Sequence, residues 1–223
     1  TKICGFKEAG FLPEALNNYM ASLGWAAENG KEIMSMSELI KTFRLESVVS
    51  AAANFDFGRL QWVNQKHLTQ MSNDALAEKI VEISPETNHV EKDRLILAID
   101  LVKERAETLL DFWRLMKYLF YAPEVFEEKA IVRLSEKSKA ILEQGEKIAC
   151  ASENASMLNE GEGFIDACLG WCTENNIKAG QLMMTFRIAF VGGLHGIDLK
   201  KIVSFIGLKE TYARLKRLKK ILN

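Results

Sequence analysis

Apolar residues recur at helical spacing through almost the whole chain, and only three prolines interrupt it. From Leu95 to Leu119 they return three or four positions apart, which places them on one face of a helix. We find no convincing alternation of apolar and polar residues of the kind that marks a half-buried strand. The pattern therefore predicts an all-α chain, and its 223 residues suffice for one large domain or for two to three small helical domains in series.

Capping residues place the starts of several helices. Pro13 suits a first helical position, and Ser35 stands three residues before a glutamate, as in a capping box. Asp56 and Ser72 can each cap a following helix. The loop at residues 84–89 and Pro123 are the two breaks that the pattern predicts, and a polar loop is expected at residues 152–163.

Charge is balanced overall but unevenly distributed. The 223 residues carry a net charge of −1, and 48% of them are hydrophobic, enough for a sizeable core. Residues 122–166 hold ten acids and five bases, a net of −5, whereas residues 178–223 hold ten bases and two acids, a net of +8. The basic end is either a footprint for phosphates or a solvated helical face, and charge alone favours the solvated face.

The cysteines form no CxxC pair, so zinc-finger spacing is absent. Cys168 and Cys172 stand four apart on an expected helix, and apolar neighbours are the simplest interpretation. Few, scattered thiols suit a reducing compartment, and the chain shows neither a signal-peptide pattern nor an apolar run of membrane-spanning length. We therefore expect a cytoplasmic protein.

Motifs for catalysis are lacking. The sequence contains no HExxH, no phosphate-binding glycine loop followed by lysine and no GxSxG. Of the three histidines, His67 is expected to be a partly buried, hydrogen-bonded residue of an amphipathic helix, and His89 lies in a polar loop. His195 lies in the glycine-rich stretch 192–196, which is either a tight corner between helices or a backbone approach to a phosphate or base.

Ordered motifs near the beginning carry a family resemblance. GFLPEAL at residues 10–16 is followed by Asn18-Tyr19 and by Leu23-Gly24-Trp25. Further motifs keep the same order: Phe55-Asp56, Leu60, Trp62, Asn64, Tyr118-Leu119-Phe120, and Lys178 to Gln181. With these motifs the chain resembles the bacterial-type glutamyl-tRNA synthetases over essentially its whole length.

The resemblance implies a class I synthetase that joins glutamate to tRNA with ATP and magnesium. The family's two nucleotide-binding signatures are absent from this chain, so it is expected to hold no catalytic residue and no cofactor, and to be inactive alone. It implies a stem-contact region at 1–70, a first anticodon-binding domain at 71–123 and a second at 124–223. In that scheme Trp62 and Asn64 match positions facing the tRNA stem, although a core position for Trp62 is the simpler expectation.

The resemblance also assigns RNA contacts. Arg105 matches an arginine that reads the last anticodon base, an assignment that competes with a surface arginine paired to a nearby acid. Arg187 matches an anticodon-loop arginine, and Leu199 matches an apolar residue that packs on an unstacked base. The remaining candidates for RNA binding are Gly196 in the turn and Lys216 and Lys219 on the basic last helix. The turn lacks the proline common in the family, which puts its base contacts in doubt.

The expected partner is tRNA(Glu), bound by a monomer that contacts neither DNA nor membrane. A non-discriminating relative would also charge tRNA(Gln), and Arg105 favours the discriminating type. A helical protein–protein adaptor without an RNA role is an alternative that the neutral net charge leaves open. An enzyme acting alone is the most distant alternative.

Overall fold

The computed structural model describes residues 3–49, 54–152 and 160–222. The chain divides into two compact units, unit 1 at residues 1–116 and unit 2 at residues 117–223. Within the described residues every regular element is a helix, which confirms the all-α prediction. The units meet inside one helix, between residues 116 and 117, and the predicted boundary after residue 70 lies between two helices of unit 1.

Several helices of unit 1 begin where the capping residues predict. Pro13 is the first helical residue of its helix, and Ser35 forms a capping box with Glu38. Asp56 and Ser72 accept backbone N–H groups of the helices that follow them. The helices are α1 (Ile3–Glu8), α2 (Pro13–Ser22), α3 (Met36–Thr42), α4 (Phe57–Gln70), α5 (Asn73–Ile83), α6 (Lys92–Val102) and α7 (Leu109–Phe120), the last of which continues into unit 2.

Buried polar side chains join α2 to α4. Asn18 Oδ1 accepts the backbone N–H of Met34 at 2.9 Å and lies 2.9 Å from Nε2 of His67. His67 is therefore the hydrogen-bonded histidine that the sequence predicts, and its burial lowers its pKa. Asn64 is fully buried and bridges Leu12 N–H to the carbonyl of Glu107. The expectation that Asn64 faces an RNA stem is wrong for this conformation, because both ends of its amide are used inside the fold.

The long helical region expected from residue 95 to 119 is interrupted. Helix α6 ends at Val102, a 3-10 turn spans Lys103–Arg105, and α7 begins at Leu109. Asp111 Oδ2 accepts the backbone N–H groups of Glu107 and Thr108, at 3.1 and 2.9 Å. By satisfying these donors the Asp111 carboxylate allows α7 to begin as a separate helix. Apolar spacing alone does not reveal such a helix start.

In its described residues unit 2 contains the end of α7, one four-residue helix and four longer helices. They are α8 (Glu128–Ile131), α9 (Glu136–Ser152), α10 (Glu160–Glu174), α11 (Ala179–Val191) and α12 (Leu199–Leu222). Gly207 has non-helical angles (φ 78°, ψ 165°) and divides α12 into the two final helices that the sequence predicts. Aromatic rings fill part of the core, with Phe164 and Phe186 stacked at 5.6 Å between centroids.

Helix α10 starts earlier than predicted. The polar loop expected at 152–163 falls partly on residues 153–159, outside the described residues, but Gly161 and Gly163 are already helical. A Cβ at Gly161 would lie 2.1 Å from Oγ of Ser204 and 2.4 Å from the Lys200 carbonyl. The glycine that suggests a loop in the sequence instead allows α10 to approach α12 closely.

Cys168 and Cys172 lie together inside unit 2. Both side chains are buried, and burial raises the pKa of Cys168 to about 12. Both are free thiols, as is the exposed Cys150. The interpretation of the pair as apolar neighbours is confirmed.

Candidate nucleic-acid interface

A rigid turn at residues 192–198 connects α11 to α12. Gly192 ends α11 with a positive φ of 83°, and its N–H donates to the carbonyl of Ile188. Its own carbonyl accepts the N–H of Glu127 at 2.8 Å. A Cβ here would lie 2.8 Å from the Val125 carbonyl, so both the φ angle and the packing require glycine. These bonds fix the first end of the turn.

Two side chains hold the second end of the turn. Tyr118 Oη accepts the N–H of Ile197 at 3.1 Å. The half-buried Arg187 donates from Nη1 to the carbonyls of Gly196 and Ile197, at 2.8 and 3.0 Å. Arg187, which the sequence assigns to RNA, thus orients the turn, while a direct contact with a base stays a prediction.

Arg214 supports the same region, although no sequence motif assigns it a role. The residue is 2% exposed, and its Nη1 donates to the carbonyls of Tyr118 and Phe190, at 2.5 and 3.0 Å. Both carbonyls lie in the last turn of a helix, where no helical N–H reaches them. A signal was available, because Arg214 shares the helical face of the buried Thr211 and Leu218.

The exposed part of the turn is small. His195 is exposed, and Leu194 and Gly196 are half-buried. A Cβ at Gly193 would lie 2.3 Å from Oε1 of Glu127, so that carboxylate runs along the turn. Leu199 is 2% exposed and belongs to the core, so in this structure its side chain offers no surface to a base.

The two candidate lysines of α12 differ in their surroundings. Lys216 is exposed, with Nζ 5.4 Å from the ring centre of Tyr212. Lys219 Nζ bonds Oε2 of Glu146 at 2.7 Å, and this bond raises the pKa of Lys219. Phosphate contact is therefore open to Lys216, whereas Lys219 already has a carboxylate partner. Further exposed bases in the C-terminal part of unit 2, from residue 178 onwards, are Lys178, Lys201, Lys209, Arg217 and Lys220.

Arg105 lies in unit 1, whereas the turn lies in unit 2. It is the last residue of the 3-10 turn between α6 and α7 and is exposed. The sequence places it on a helix, and the structure places it in a 3-10 turn that follows α6 instead of in a continuous α-helix. Its exposure satisfies what a base-reading arginine requires, and its role stays a prediction.

A second basic surface lies on α4. The guanidinium of Arg59 stands 4.3 Å from the ring centre of Trp62, and Lys66 Nζ stands 5.9 Å from it. Arg59 also pairs with Glu32 at 2.6 Å. Trp62 is only half-buried, so the expectation of a core tryptophan is wrong. Spacing of three and four residues places the three side chains on one helix face.

Within the described ranges, His, Cys, Asp and Glu side chains form no group of three or more that could hold a metal ion. The described helices also include none with the length and apolar character needed to cross a membrane.

Comparison with known families divides the chain into two matches. The family described as anticodon binding domain matches residues 63–219, and the catalytic domain of class I tRNA synthetases (E and Q) matches residues 2–62. The first match contains Arg105, the turn and the basic helix. The junction between the two matches falls inside α4.

Relatives and solved structures agree with these matches. The chain is 34% identical to the glutamate–tRNA ligase of Flavobacterium johnsoniae over 219 residues, covering 96% of this chain and 42% of that protein. The Bacteroides fragilis glutamate–tRNA ligase is 31% identical, covering 98% and 43%.

Two glutamate–tRNA synthetase crystal structures superpose well. The Elizabethkingia anophelis enzyme gives a TM-score of 0.81 at 33% identity, covering 96% of this chain and 42% of that one. The E. meningosepticum enzyme, solved with its amino acid, gives 0.84 at 32%, covering 98% and 43%. The chain thus spans less than half the length of the glutamate–tRNA ligases that it matches, and it belongs to the anticodon-binding-domain family.

Proposed function

We propose that this chain is the tRNA-binding, anticodon-reading part of a glutamate–tRNA ligase. The intact protein would attach glutamate to tRNA(Glu) with ATP and magnesium, acting as a cytoplasmic monomer whose nucleotide chemistry lies outside this chain. The observation that carries the proposal is the anticodon-binding match at residues 63–219, which spans both Arg105 and the fixed turn.

The proposed mechanism separates base reading from phosphate binding. Sequence-specific RNA recognition targets unstacked bases, because the grooves of A-form helices hide base identity. The exposed Arg105 would donate to one anticodon base with its planar fork, and Arg187 would act by keeping the turn in place. The exposed Lys216 would contact phosphate and supply affinity rather than selectivity.

Filter binding of the 223-residue chain tests the proposal. The ligands are tRNA(Glu) and variants changed at one anticodon base, each measured at two salt concentrations. The proposal expects a linear loss of log affinity with log salt and a weaker complex for the changed anticodons. Binding that ignores the anticodon, or no binding, would favour the helical adaptor instead.

A non-discriminating ligase is the second candidate within the same family. It would accept the tRNA(Gln) anticodon as well as that of tRNA(Glu). The exposed Arg105 supports the discriminating type, since that position in the resemblance selects the last anticodon base. Equal affinity for the two anticodons would assign the chain to the non-discriminating type.

A further inference from the structure

We propose that His195 is a specificity-determining residue that contacts an unstacked base of the anticodon loop. The inference rests on the proposed function and adds a residue that the family resemblance does not assign. His195 is the exposed residue of the turn between Gly192 and Ile197, both ends of which are fixed.

Fixation of the turn makes the position of His195 reproducible. The Gly192 carbonyl bonds Glu127 N–H at 2.8 Å, and Ile197 N–H bonds Tyr118 Oη at 3.1 Å. The Gly196 carbonyl, directly after the histidine, accepts Arg187 Nη1 at 2.8 Å. A side chain carried by a backbone held on both sides loses little entropy when it binds, which is the condition for selective contact.

The side chain itself suits a base. Imidazole presents a flat ring that stacks on a nucleobase, and its ring nitrogens donate or accept a hydrogen bond at the base edge. Leu194, the preceding residue, is half-buried and adds an apolar edge to the same turn. The turn therefore offers a base a flat ring, ring nitrogens that can hydrogen-bond and an apolar side chain.

Charge around the turn favours a base over a phosphate. The Glu127 carboxylate runs along Gly193, and Asp198, the last residue of the turn, accepts Lys200 N–H with Oδ1 at 2.8 Å. These two carboxylates oppose a phosphate group more than an uncharged base, and the Arg187 guanidinium on the Gly196 carbonyl offsets part of their charge. Phosphate contacts are accordingly assigned to the exposed lysines of the chain and not to this turn.

The test compares His195→Ala with His89→Ala, which removes the exposed histidine of a 3-10 turn in unit 1. The probe is a synthetic anticodon stem-loop of tRNA(Glu), with each anticodon-loop base changed in turn. Loss of one base stack weakens binding by about five- to a hundred-fold on alanine substitution. We expect His195→Ala to show such a loss of affinity for the cognate loop. The ratio of dissociation constants between the changed and the cognate loop should fall towards one at one base position, and the slope of log affinity against log salt should stay unchanged. His89→Ala should match the wild type.

A second variant separates stacking from hydrogen bonding. His195→Phe keeps a flat ring, so it should retain most of the affinity if stacking dominates and lose it if the ring nitrogens carry the contact. Circular dichroism of each variant checks that the helices are intact. Affinity and base discrimination within two-fold of the wild type in His195→Ala would overturn the inference while leaving the proposed function in place. A wild-type chain that ignores every anticodon change would instead overturn the proposed function, and the inference with it.

Discussion

Replacing Arg214 by methionine tests how the turn region is supported. The change keeps a long side chain of similar volume but removes the bonds to the carbonyls of Tyr118 and Phe190. A buried carbonyl left without a donor costs about 1–3 kcal/mol. The third bond, to the part-exposed Glu210, contributes at most about 1 kcal/mol.

Removal of a buried charge offsets part of that loss, because Arg214 no longer has to be desolvated. We therefore expect the free energy of unfolding to fall by about 3 kcal/mol. With a urea dependence of about 1–3 kcal/mol per molar, the midpoint should fall by roughly 1–3 M. The control is Arg217→Met, three residues further along α12 at an exposed position, where a change within about 0.5 kcal/mol is expected.

Urea unfolding followed by circular dichroism measures the midpoint. Because the two compact units can unfold separately, hydrogen exchange of residues 179–198 should accompany it, with α2 as an internal reference. The variant should exchange faster in 179–198 and at the wild-type rate in α2. Equal midpoints for Arg214→Met and Arg217→Met would refute the argument, since the two carbonyls would then need no donor.

Three further predictions follow from the charges of the structure. Lys216→Ala should weaken the binding of all tRNAs alike and lower the slope of log affinity against log salt concentration by about 0.7–0.9. Lys219→Ala should change that slope less, because Lys219 Nζ is bonded to a carboxylate. Filter binding at several salt concentrations measures both slopes. Burial lowers the pKa of His67 below its usual 6.5, so the stability that the neutral ring permits is fully present above pH 6.5 and is lost as pH falls from there through the lowered pKa. Urea midpoints at two pH values should show a loss that His67→Asn removes. The hydrogen bond from Lys31 lowers the pKa of Glu38 to about 2, so the stabilisation of α3 by the Glu38 carboxylate is present above pH 4.5 and is lost between pH 4.5 and about 2. Acid titration followed by circular dichroism should show this loss in the wild type and not in Glu38→Gln.

The fold class could be predicted from the sequence because helix period and caps are local properties. Ser35, Asp56 and Ser72 each start a helix where their side chains can accept the first free N–H groups. Gly192 and Gly207 end or divide helices for an equally local reason, since both adopt positive φ angles. These features depend on a few neighbouring residues and can therefore be predicted from the sequence alone.

The candidate site was only partly predictable because its supports come from distant positions. Tyr118 contacts a residue 79 positions away, and Arg214 reaches Tyr118 across 96 positions. Only its helix face distinguishes the buried Arg214 from its exposed neighbours Lys216 and Arg217, and the carbonyls that it reaches lie on other helices. Likewise, the partnership of Lys219 with Glu146 depends on how α9 and α12 pack and not on the charge of either segment.

The central claim is that exposed side chains of this chain read anticodon bases, and Arg105 tests it most directly. The measurement is the ratio of dissociation constants for tRNA(Glu) and a variant changed at the last anticodon base, in wild type, Arg105→Ala and the exposed control Arg114→Ala. We predict a ratio well above one in the wild type and the control, and a ratio near one in Arg105→Ala. A wild-type ratio of one, or a ratio in Arg105→Ala equal to that of the wild type, would contradict the account.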